Sequence, residues 1–417
     1  MNAVPPKPPT SPHPPGERVV LVVDDSSVQR AHLVGLLQSM NYGTVLQAID
    51  GVDALHVIEE RGGDQIDLII TDIDMPSMDG FELISHLAEQ PHLINLIATS
   101  ARDPRLLETV EALREEGSRV RLLGTLTKPV TQNALARLLE NAEVRARSGN
   151  GDNSLADSIT LADIEAGLKA RQFVPYVQPK ISMSTGLLTG VESLARWVHP
   201  QHGLLAPNYF IPKTEGSPLM PDFTLCIVEQ SLDLLMGWAA ALPTLSMSIN
   251  LSADDLADQR FVDRLVDMVR QRNIAPRRVI WEVTETMIMR STAMSNLARL
   301  GLKGFGLSMD DYGVGYSSMQ TLSRSPFTEL KIDRIFVDNA SERANRRAIL
   351  VSSLDMGKRL GISTVAEGVE RVEDWRLLRT LACDTAQGFL IARPMPADEL
   401  VSWTRGNRTR LKDLAQD

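Results

Sequence analysis

Segment 190–200, GVESLARWVHP, begins as a buried β-strand and then brings charged side chains into the same short stretch. Leu188 and Val191 supply the apolar start, and Glu192 and Arg196 follow close behind. Removing a charge from water is costly unless the charge is paired or bound to a metal ion. Glu192 is therefore expected to face a partner of opposite charge, which the rest of the chain has to supply.

The composition describes an acidic protein with enough apolar residues for sizeable cores. The chain has 417 residues, of which 43% are apolar, and its formal net charge is −10. This length fits two or three domains as a prior. The negative balance argues against a general nucleic-acid or anionic-membrane binder, because both need a basic face.

Redox and targeting signals favour the cytoplasm. The chain has only two cysteines, Cys226 and Cys383, and their wide separation argues against a disulfide framework. Residues 1–17 have no apolar core of signal-peptide length. The most apolar stretch, SLDLLMGWAAALPTL, is interrupted by Asp233 and Pro243 and is too short to span a bilayer. We expect a cytoplasmic protein with no membrane insertion and no nucleic-acid partner.

Shifts in composition divide the chain into two folded units separated by a linker. The linker sequence SGNGDNSLADS is rich in Gly, Ser, Asn and Asp, as flexible connections are. The predicted division is a Pro-rich disordered tail at 1–17, a first unit at 18–147, the linker at 148–158, a second unit at 159–405 and a C-terminal tail at 406–417.

The first unit alternates apolar strands with amphipathic helices. Its strand candidates include RVVLVVDD, IDLIITDIDMP, NLIATSA and RLLGTLTKP, and SSVQRAHLVGLLQSM has helical spacing with Ser26 or Ser27 as N-cap. Continuous apolar runs of this kind are typical of parallel strands covered on both faces. The alternation predicts a doubly wound, flavodoxin-like α/β domain.

Polar residues follow the ends of these strands, where ligand sites of open parallel sheets lie. In chain order they are Asp24, Asp25, Asp72, Ser100 and Lys128. Converging carboxylates repel one another unless a cation holds them, and Mg²⁺ prefers oxygen ligands. The hydroxyl and the ammonium could hold the oxygens of a phosphoryl group. Each acid alone would more often cap a helix or start a turn.

The motifs VVDDS, TDIDMPSMDG, TSA and TKP together resemble response-regulator receiver domains over residues 18–147. The resemblance implies a cognate sensor histidine kinase as partner, with Asp72 as phosphoacceptor, Asp24 and Asp25 as Mg²⁺ ligands, Ser100 as switch hydroxyl and Lys128 as phosphate contact. Thr125 stands where receivers usually carry an aromatic residue. This departure falls on the position that usually couples hydroxyl movement to aromatic rotation.

The second unit has the usual size of a (β/α)8 TIM-type barrel. Its eight strand candidates are FVPYVQPKI, LTGVESLARW, LSMSINLS, RVIWEVTE, GLSMDDYG, ELKIDR, STVAEGVE and TAQGFL. Active sites of such barrels lie at the C-terminal ends of the strands. The polar residues at or near those ends are Gln178, Glu192, Asn250, Glu282, Asp310, Asp311, Lys331, Asp333, Glu367 and Gln387.

This ring consists of oxygen ligands and one ammonium. Oxygen ligands select Mg²⁺, Mn²⁺ or Ca²⁺, and no histidine of the chain falls in the ring, which disfavours zinc. Two such ions can support phosphodiester hydrolysis. Lys331 could orient or deprotonate the attacking water, and Arg196 could bind a phosphate oxygen.

Simpler structural roles compete with these assignments. A single acid at a barrel end is more often a helix cap or a rim salt bridge. Glu285 could serve only to hold the loop DDYGVGYSS, and His199 is better explained as a structural hydrogen-bonding residue. Trp281 and Met309 are expected in the core.

The motifs VESLARW, INLS, EVTET, DDYGVGYSS, LKIDR, AEGVE and AQGF resemble EAL-domain phosphodiesterases over residues 159–405. That family hydrolyses cyclic-di-GMP to linear 5′-pGpG with Mg²⁺ or Mn²⁺, on a barrel whose first strand is antiparallel. The resemblance implies Glu192, Asn250, Glu282, Asp310 and Asp311 as metal ligands, Lys331, Glu367 and Asp333 as catalytic residues, Gln178, Arg196 and Gln387 as substrate contacts, and Glu285 as loop and dimer support. The triplet that names the family reads Glu192-Ser193-Leu194 here, with serine for alanine.

The whole chain therefore resembles a receiver–EAL response regulator. The expected function is phosphorylation-responsive hydrolysis of cyclic-di-GMP, with two metal ions in the barrel, one in the receiver, and a homodimer or higher homo-oligomer. The alternative is a cyclic-di-GMP sensor that signals through partners without turnover. A third possibility is a scaffold in which only the receiver matters, but the complete acid ring and Lys331 argue against it.

Overall fold

The computed structural model describes residues 18–62, 65–88, 90, 94–100, 120–139, 155, 158–284, 291–312, 322 and 325–416. The chain forms two compact units, residues 1–151 and 152–417. The predicted tail at 1–17 and most of the predicted linker lie outside the described residues.

The first unit is built on a five-stranded sheet. Its strands are β1 (Val19–Val23), β2 (Thr44–Ala48), β3 (Leu68–Asp72), β4 (Ile94–Ser100) and β5 (Val120–Thr127). They lie in the order β2-β1-β3-β4-β5, with every described pairing parallel. The described helices are α1 (Ser27–Ser39), α2 (Gly51–Arg61), α3 (Gly80–Ala88) and α4 (132–139). The prediction of a doubly wound, flavodoxin-like domain is confirmed.

Strand β1 explains why this sheet forms. Alternate side chains of an extended strand point to opposite faces. Leu21 and Val23 pack into one apolar cluster, and Val20 and Val22 pack into another. Both faces are therefore buried, and the acids that follow the strand emerge at its carboxyl end. The N-cap of α1 is Ser26, whose hydroxyl accepts a hydrogen bond from the Gln29 amide.

The second unit is a closed barrel of eight strands, extended by two further short strands, Gly203–Leu205 and Met395–Pro396. In chain order the strands are β6 (Phe173–Ser182), β7 (Leu188–His199), β8 (Gly203–Leu205), β9 (Ser246–Asn250), β10 (Val279–Thr284), β11 (Gly306–Tyr312), β12 (Glu329–Ile332), β13 (Ser363–Ala366), β14 (Thr385–Ala386) and β15 (Met395–Pro396). Each of the eight predicted segments contains one barrel strand, so the TIM-type barrel is confirmed. As the family resemblance implies, the first strand β6 is antiparallel to both of its barrel neighbours, β7 and β14.

The described helices of this unit connect the strands and cover the barrel. They are α5 (Leu161–Lys169), α6 (Ile211–Thr214), α7 (Met220–Gly237), α8 (Ala253–Ala257), α9 (Gln259–Gln271), α10 (Ser291–Leu302), α11 (Arg334–Val337), α12 (Ala344–Leu360), α13 (Val372–Thr380) and α14 (Leu400–Gln416), with 3-10 turns at Pro207–Tyr209, Pro276–Arg278 and Ala397–Glu399. Trp281 and Met309 are fully buried in the core, as expected. No described helix has the length and apolar character needed to cross a membrane.

The C-terminal segment differs from its prediction. Helix α14 continues to Gln416, so the predicted boundary at residue 405 falls inside it. Leu411 and Ala415 are buried, and the Trp375 indole donates a hydrogen bond of 2.8 Å to the Leu414 carbonyl. Residues 406–416 therefore continue helix α14, because widely spaced apolar side chains secure an otherwise polar helix.

Candidate active site

The strand register brings the predicted residues of the second unit to one mouth of the barrel. Glu282 lies beside Asn250, and Thr284 lies beside Asp310 in the parallel pairings of β10. Glu192 pairs with Gln178 across the antiparallel β6–β7 ladder. The carboxylates therefore lie at the C-terminal ends of the barrel strands, as barrel geometry predicts.

Lys331 lies at the centre of this group. Only 1% of its side chain is exposed, and its ammonium contacts four carboxylates. The distances from Nζ are 2.7 Å to Glu367 Oε1, 3.0 Å to Asp310 Oδ1, 3.1 Å to Glu282 Oε2 and 3.5 Å to Glu192 Oε1. Glu192 thus faces an ammonium and three other acids, which explains why a charge is tolerated in strand β7.

The acids of this site differ in the direction of their pKa shift, which is upward for Glu192 and Glu367 and downward for Glu282. Burial, reinforced by the charges of Glu282 and Asp310, raises the pKa of Glu192 to about 7 despite the nearby ammonium of Lys331. Burial also raises the pKa of Glu367 well above its ordinary value, although Lys331 opposes this effect. Burial would raise the pKa of Glu282 as well, but Lys180 and Lys331 outweigh it and lower that pKa to about 2.

The same contacts keep Lys331 charged. Burial alone would lower its pKa, but the surrounding carboxylates raise it well above the ordinary value, with Glu192 and Glu282 acting most strongly. Lys331 is therefore an ammonium in this arrangement. It can donate hydrogen bonds but has no free electron pair with which to accept a proton.

The donor set fits a divalent cation of the Mg²⁺ or Mn²⁺ type. All candidate ligands are carboxylate or amide oxygens, and the five described carboxylates that contact Lys180 or Lys331 outnumber these two ammonium groups. Within the described barrel residues, no three carboxylates bring their oxygens within 4.8 Å of one another. These acids instead surround the Lys331 ammonium.

Two of the predicted substrate contacts, Gln178 and Gln387, are hydrogen-bonded to each other and form a wall beside Glu192. The Gln387 side-chain amide donates to Glu192 Oε2 at 2.6 Å and to Gln178 Oε1 at 2.9 Å, while Gln387 Oε1 is buried without a hydrogen-bond partner. Asn250 Nδ2 donates to Glu192 Oε1 at 3.3 Å. An unsatisfied buried oxygen beside the acids is suited to receive a donor group of a ligand.

Arg196 lies further along β7 than Glu192. Its guanidinium is 5.7 Å from the centre of the Tyr176 ring and donates a hydrogen bond of 2.8 Å to the carbonyl of Ala195. The remaining donors of its planar fork suit a phosphate oxygen.

Three predicted site residues are not brought into this cluster by the described contacts. The Asp333 carboxylate accepts a hydrogen bond of 2.6 Å from the Ile335 amide and caps helix α11, which is the simpler structural role. The side chain of Asp311, together with Glu285 and most of the loop that follows Tyr312, lies outside the described residues.

Sequence reasoning missed a second polar layer inside the barrel. The Lys180 ammonium lies 2.6 Å from Ser248 Oγ, 2.8 Å from Glu329 Oε1 and 2.9 Å from Glu282 Oε1. Ser308 also donates to Glu329 Oε1, at 2.9 Å. Strand alternation carried a signal for this layer, since Lys180 is two residues from Gln178 and Glu329 is two residues from Lys331.

The first unit gathers its predicted residues at the carboxyl end of the sheet. The Lys128 ammonium lies 2.5 Å from Asp72 Oδ2 and 2.7 Å from Asp24 Oδ2. Oxygens of Asp24, Asp25 and Asp72 lie within 4.8 Å of one another, close enough to hold one metal ion. Ser100 is buried at the end of β4, and its carbonyl accepts the Lys128 amide.

Burial raises the pKa of Asp72 and outweighs the opposing hydrogen bond and charge of Lys128. Burial would lower the pKa of Lys128, but its bonds to Asp24 and Asp72 raise it. Thr125 is half-buried on β5, where it pairs with Ala98 of β4.

Comparison with known families agrees with this geometry. The EAL domain model matches residues 161–394, and the response regulator receiver domain model matches residues 20–140. The chain belongs to the EAL-domain family. Its receiver domain and its EAL domain follow the order predicted from the sequence motifs.

Relatives share either the EAL domain or the whole arrangement. The cyclic di-GMP phosphodiesterase RocR of Pseudomonas aeruginosa is 32% identical over 391 residues, covering 93% of this chain and 99% of RocR. The bifunctional diguanylate cyclase/cyclic di-GMP phosphodiesterase MucR of the same organism is 36% identical, covering 58% of this chain and 36% of MucR. A solved structure of the PaMucR phosphodiesterase in complex with c-di-GMP superposes with a TM-score of 0.56 at 36% identity, covering 58% of this chain and 98% of that one.

Proposed function

We propose that this chain is a metal-dependent phosphodiesterase that hydrolyses cyclic-di-GMP to 5′-pGpG, at a rate set by phosphorylation of its receiver domain. The observation that carries the proposal is the ring of four carboxylates around Lys331, with the Gln178–Gln387 wall beside it. Its support from relatives is RocR, which carries the name of such an enzyme and is covered along 99% of its length.

The metal ligands in this proposal are the oxygens at the strand ends of the barrel. Glu192, Asn250, Glu282, Asp310 and Asp311 would hold two Mg²⁺ or Mn²⁺ ions, and Asp24, Asp25 and Asp72 would hold one in the receiver. The barrel ions would supply positive charge that activates water and stabilises the phosphodiester transition state. Binding them requires Glu192 to lose the proton that its raised pKa retains near neutral pH.

The side chains divide the reaction between them. Hydrolysis to 5′-pGpG breaks one P–O3′ bond, forms a P–O bond to water and frees a 3′-hydroxyl, which takes up a proton. Lys331 orients the attacking water as a hydrogen-bond donor, since its ammonium lies at the centre of the four carboxylates. Glu367 lies 2.7 Å from Lys331 and has 19% of its side chain exposed, so in its ionised form it is placed to accept the proton of that water.

In this proposal the substrate is bound by the Gln178–Gln387 wall and by the guanidinium of Arg196. Gln178 and Gln387 would contact the nucleotide, and Arg196 would bind a non-bridging phosphate oxygen. Asp333 contributes through the start of helix α11, which it caps. Glu285 would support the metal-site loop and a homodimer or higher homo-oligomer.

The receiver supplies regulation in this proposal. Asp72 accepts a phosphoryl group from a cognate sensor histidine kinase in the cytoplasm. Lys128, 2.5 Å from Asp72, and Ser100 then contact the phosphoryl oxygens. Thr125 removes the aromatic position of the usual relay, so the signal reaches the barrel by another route.

The second candidate function is a cyclic-di-GMP sensor without turnover. The two candidates are separated by incubating the purified chain with cyclic-di-GMP in Mg²⁺ and identifying products by chromatography. Metal-dependent release of 5′-pGpG, absent in Glu192→Ala, is the expected result. Tight nucleotide binding without product in the unmodified chain would contradict the enzyme and favour the sensor.

A further inference from the structure

Lys180 is a buried cation that the proposed reaction does not use. Only 2% of its side chain is exposed, and its ammonium bonds two carboxylates, Glu282 and Glu329, and the hydroxyl of Ser248. A buried ion pair is weak evidence for a role in stability, because desolvation offsets most of its attraction. The arrangement therefore needs a reason beyond holding the barrel together.

The reason lies in how Glu282 is held. Its side chain is 0% exposed, and its two oxygens are divided between two lysines. Oε1 accepts from Lys180 at 2.9 Å, and Oε2 accepts from Lys331 at 3.1 Å. Each bond fixes one end of the carboxylate, so the rotation of Glu282 is set by a cation on either side.

The surroundings of Lys180 fix it in turn. Glu329 Oε1 receives bonds from both Lys180 and Ser308, and Ser248 lies on the strand next to that of Glu282. The register of β6 places Lys180 beside Gly190, deeper in the barrel than Gln178, which is beside Glu192. The contacts thus form a rigid layer directly below the proposed metal ligands.

We propose that Lys180 is a positioning residue, which holds Glu282 Oε1 from below so that Oε2 is presented to the divalent cation at the mouth. The inference rests on the proposed function, since it takes Glu282 as a metal ligand. Groups that orient metal ligands in this way typically affect metal affinity by about 10–100-fold. Lys180 therefore acts on metal affinity through Glu282 without touching the metal or the substrate.

A competing explanation is that Lys180 only balances the charge of Glu329. This explanation predicts different Mn²⁺ affinities for variants of the two residues. Lys180 and Glu329 carry opposite charges, so removing both leaves the net charge of the layer unchanged. Lys180→Met removes the bond to Glu282 and leaves Glu329 buried without its ammonium. The double variant Lys180→Met/Glu329→Gln removes the same bond but restores the balance. Positioning predicts weaker Mn²⁺ binding in both variants. Charge balance predicts that the single variant, which leaves an extra negative charge beside the site, binds Mn²⁺ at least as tightly as the parent, and that the double variant binds it like the parent.

The test measures Mn²⁺ binding by the electron paramagnetic resonance signal of the free ion, in the full chain. All variants carry Asp25→Asn, which weakens the receiver site, and Glu282→Gln marks the signal expected when the barrel site is lost. We expect both Lys180 variants to bind Mn²⁺ about 10–100-fold more weakly than the parent. Parent-like affinity in the folded double variant would overturn the positioning role.

Thermal unfolding of each variant checks that the barrel is intact. If Lys180→Met fails to fold, the charge-balanced double variant carries the test, and Ser248→Ala adds a milder one that removes a single bond to Lys180. That variant is expected to weaken Mn²⁺ binding about fivefold, and unchanged affinity would count against the proposal.

Hydrolysis of cyclic-di-GMP is measured in parallel to separate this inference from the proposed function. Mn²⁺ binding that depends on Glu282 and Lys180 without any hydrolysis would leave the positioning role standing and contradict the enzyme. Hydrolysis by the parent, together with parent-like Mn²⁺ affinity in both Lys180 variants, would support the enzyme and contradict the positioning role. A parent chain without a Glu282-dependent Mn²⁺ site would overturn the positioning role directly.

Discussion

The receiver and the barrel both gather carboxylates around a lysine, but they arrange them differently. In the receiver, Lys128 contacts Asp24 and Asp72, and the three acids keep their oxygens within 4.8 Å of one another. In the barrel, Lys331 lies among four carboxylates, and Lys180 bonds one of them from below.

This difference shows how position in the fold determines the chemistry of similar residues. The receiver acids follow neighbouring strands of an open sheet and form a compact group that suits one ion. The barrel acids come from strands around a closed wall, so they face inward and need a central cation. The first arrangement suits a phosphoryl group held at one carboxylate, and the second suits a reaction enclosed by charged groups.

The largest expected effect comes from removing a barrel carboxylate. Asp310→Ala removes a proposed metal ligand, whose carboxylate lies 3.0 Å from Lys331, and is expected to reduce cyclic-di-GMP hydrolysis about 1000-fold, because several kcal/mol of transition-state stabilisation are lost. The matched receiver change, Asp25→Ala, should leave basal hydrolysis unchanged. Steady-state hydrolysis rates in Mg²⁺ are measured for both variants. An equal loss of rate in the two would contradict the separate roles of the receiver and barrel acids.

Replacement of the central cation should separate turnover from binding. Lys331→Ala is expected to lower kcat about 100- to 1000-fold, because the water loses its hydrogen-bond donor, while cyclic-di-GMP still binds. Rates and nucleotide titration calorimetry measure the two effects. Simultaneous loss of binding and of the folded state would rule out the role assigned to Lys331.

The affinity of the barrel for metal ions should depend on pH, because burial and neighbouring acids raise the pKa of Glu192. The pKa of Glu192 is raised to about 7, so this carboxyl is protonated below that pH and must release its proton when a cation binds. Apparent Mn²⁺ affinity should therefore rise about tenfold between about pH 6 and about pH 8 and level off above. Titrations in the Asp25→Asn background measure it. A flat profile would mean that Glu192 is not a ligand that loses a proton on binding.

Strand ends were predictable because hydrophobic runs and alternation locate them. The ring around Lys331 followed from collecting those ends, and Lys128 and Asp72 followed from the same rule in the open sheet. Lys180 and Glu329 occupy the same strands as predicted residues, but their depth depends on the register and antiparallel direction of β6. Strand alternation placed both residues on the same faces as predicted site residues, but a single sequence does not specify the register that brings Lys180 to Glu282.

Two further features of the structure depend on local capping or packing. Asp333 follows a strand end by one residue, so its carboxylate caps helix α11. The polar sequence of 406–416 hides a helix that depends on tertiary contacts of a few apolar side chains, among them Leu411. The cap at Asp333 agrees with the simpler role that the sequence allows for an acid at a strand end, whereas the helix at 406–416 depends on packing that the polar sequence does not reveal.

The most direct test of this account measures 5′-pGpG release from cyclic-di-GMP by the full chain in Mg²⁺, with and without beryllofluoride, alongside Asp72→Ala. We expect product in all samples, and a rate that beryllofluoride changes about fivefold or more only where Asp72 is present. Absence of product would contradict the assignment of the barrel. An identical beryllofluoride response in Asp72→Ala, or no response in the unmodified chain, would contradict the assignment of the receiver.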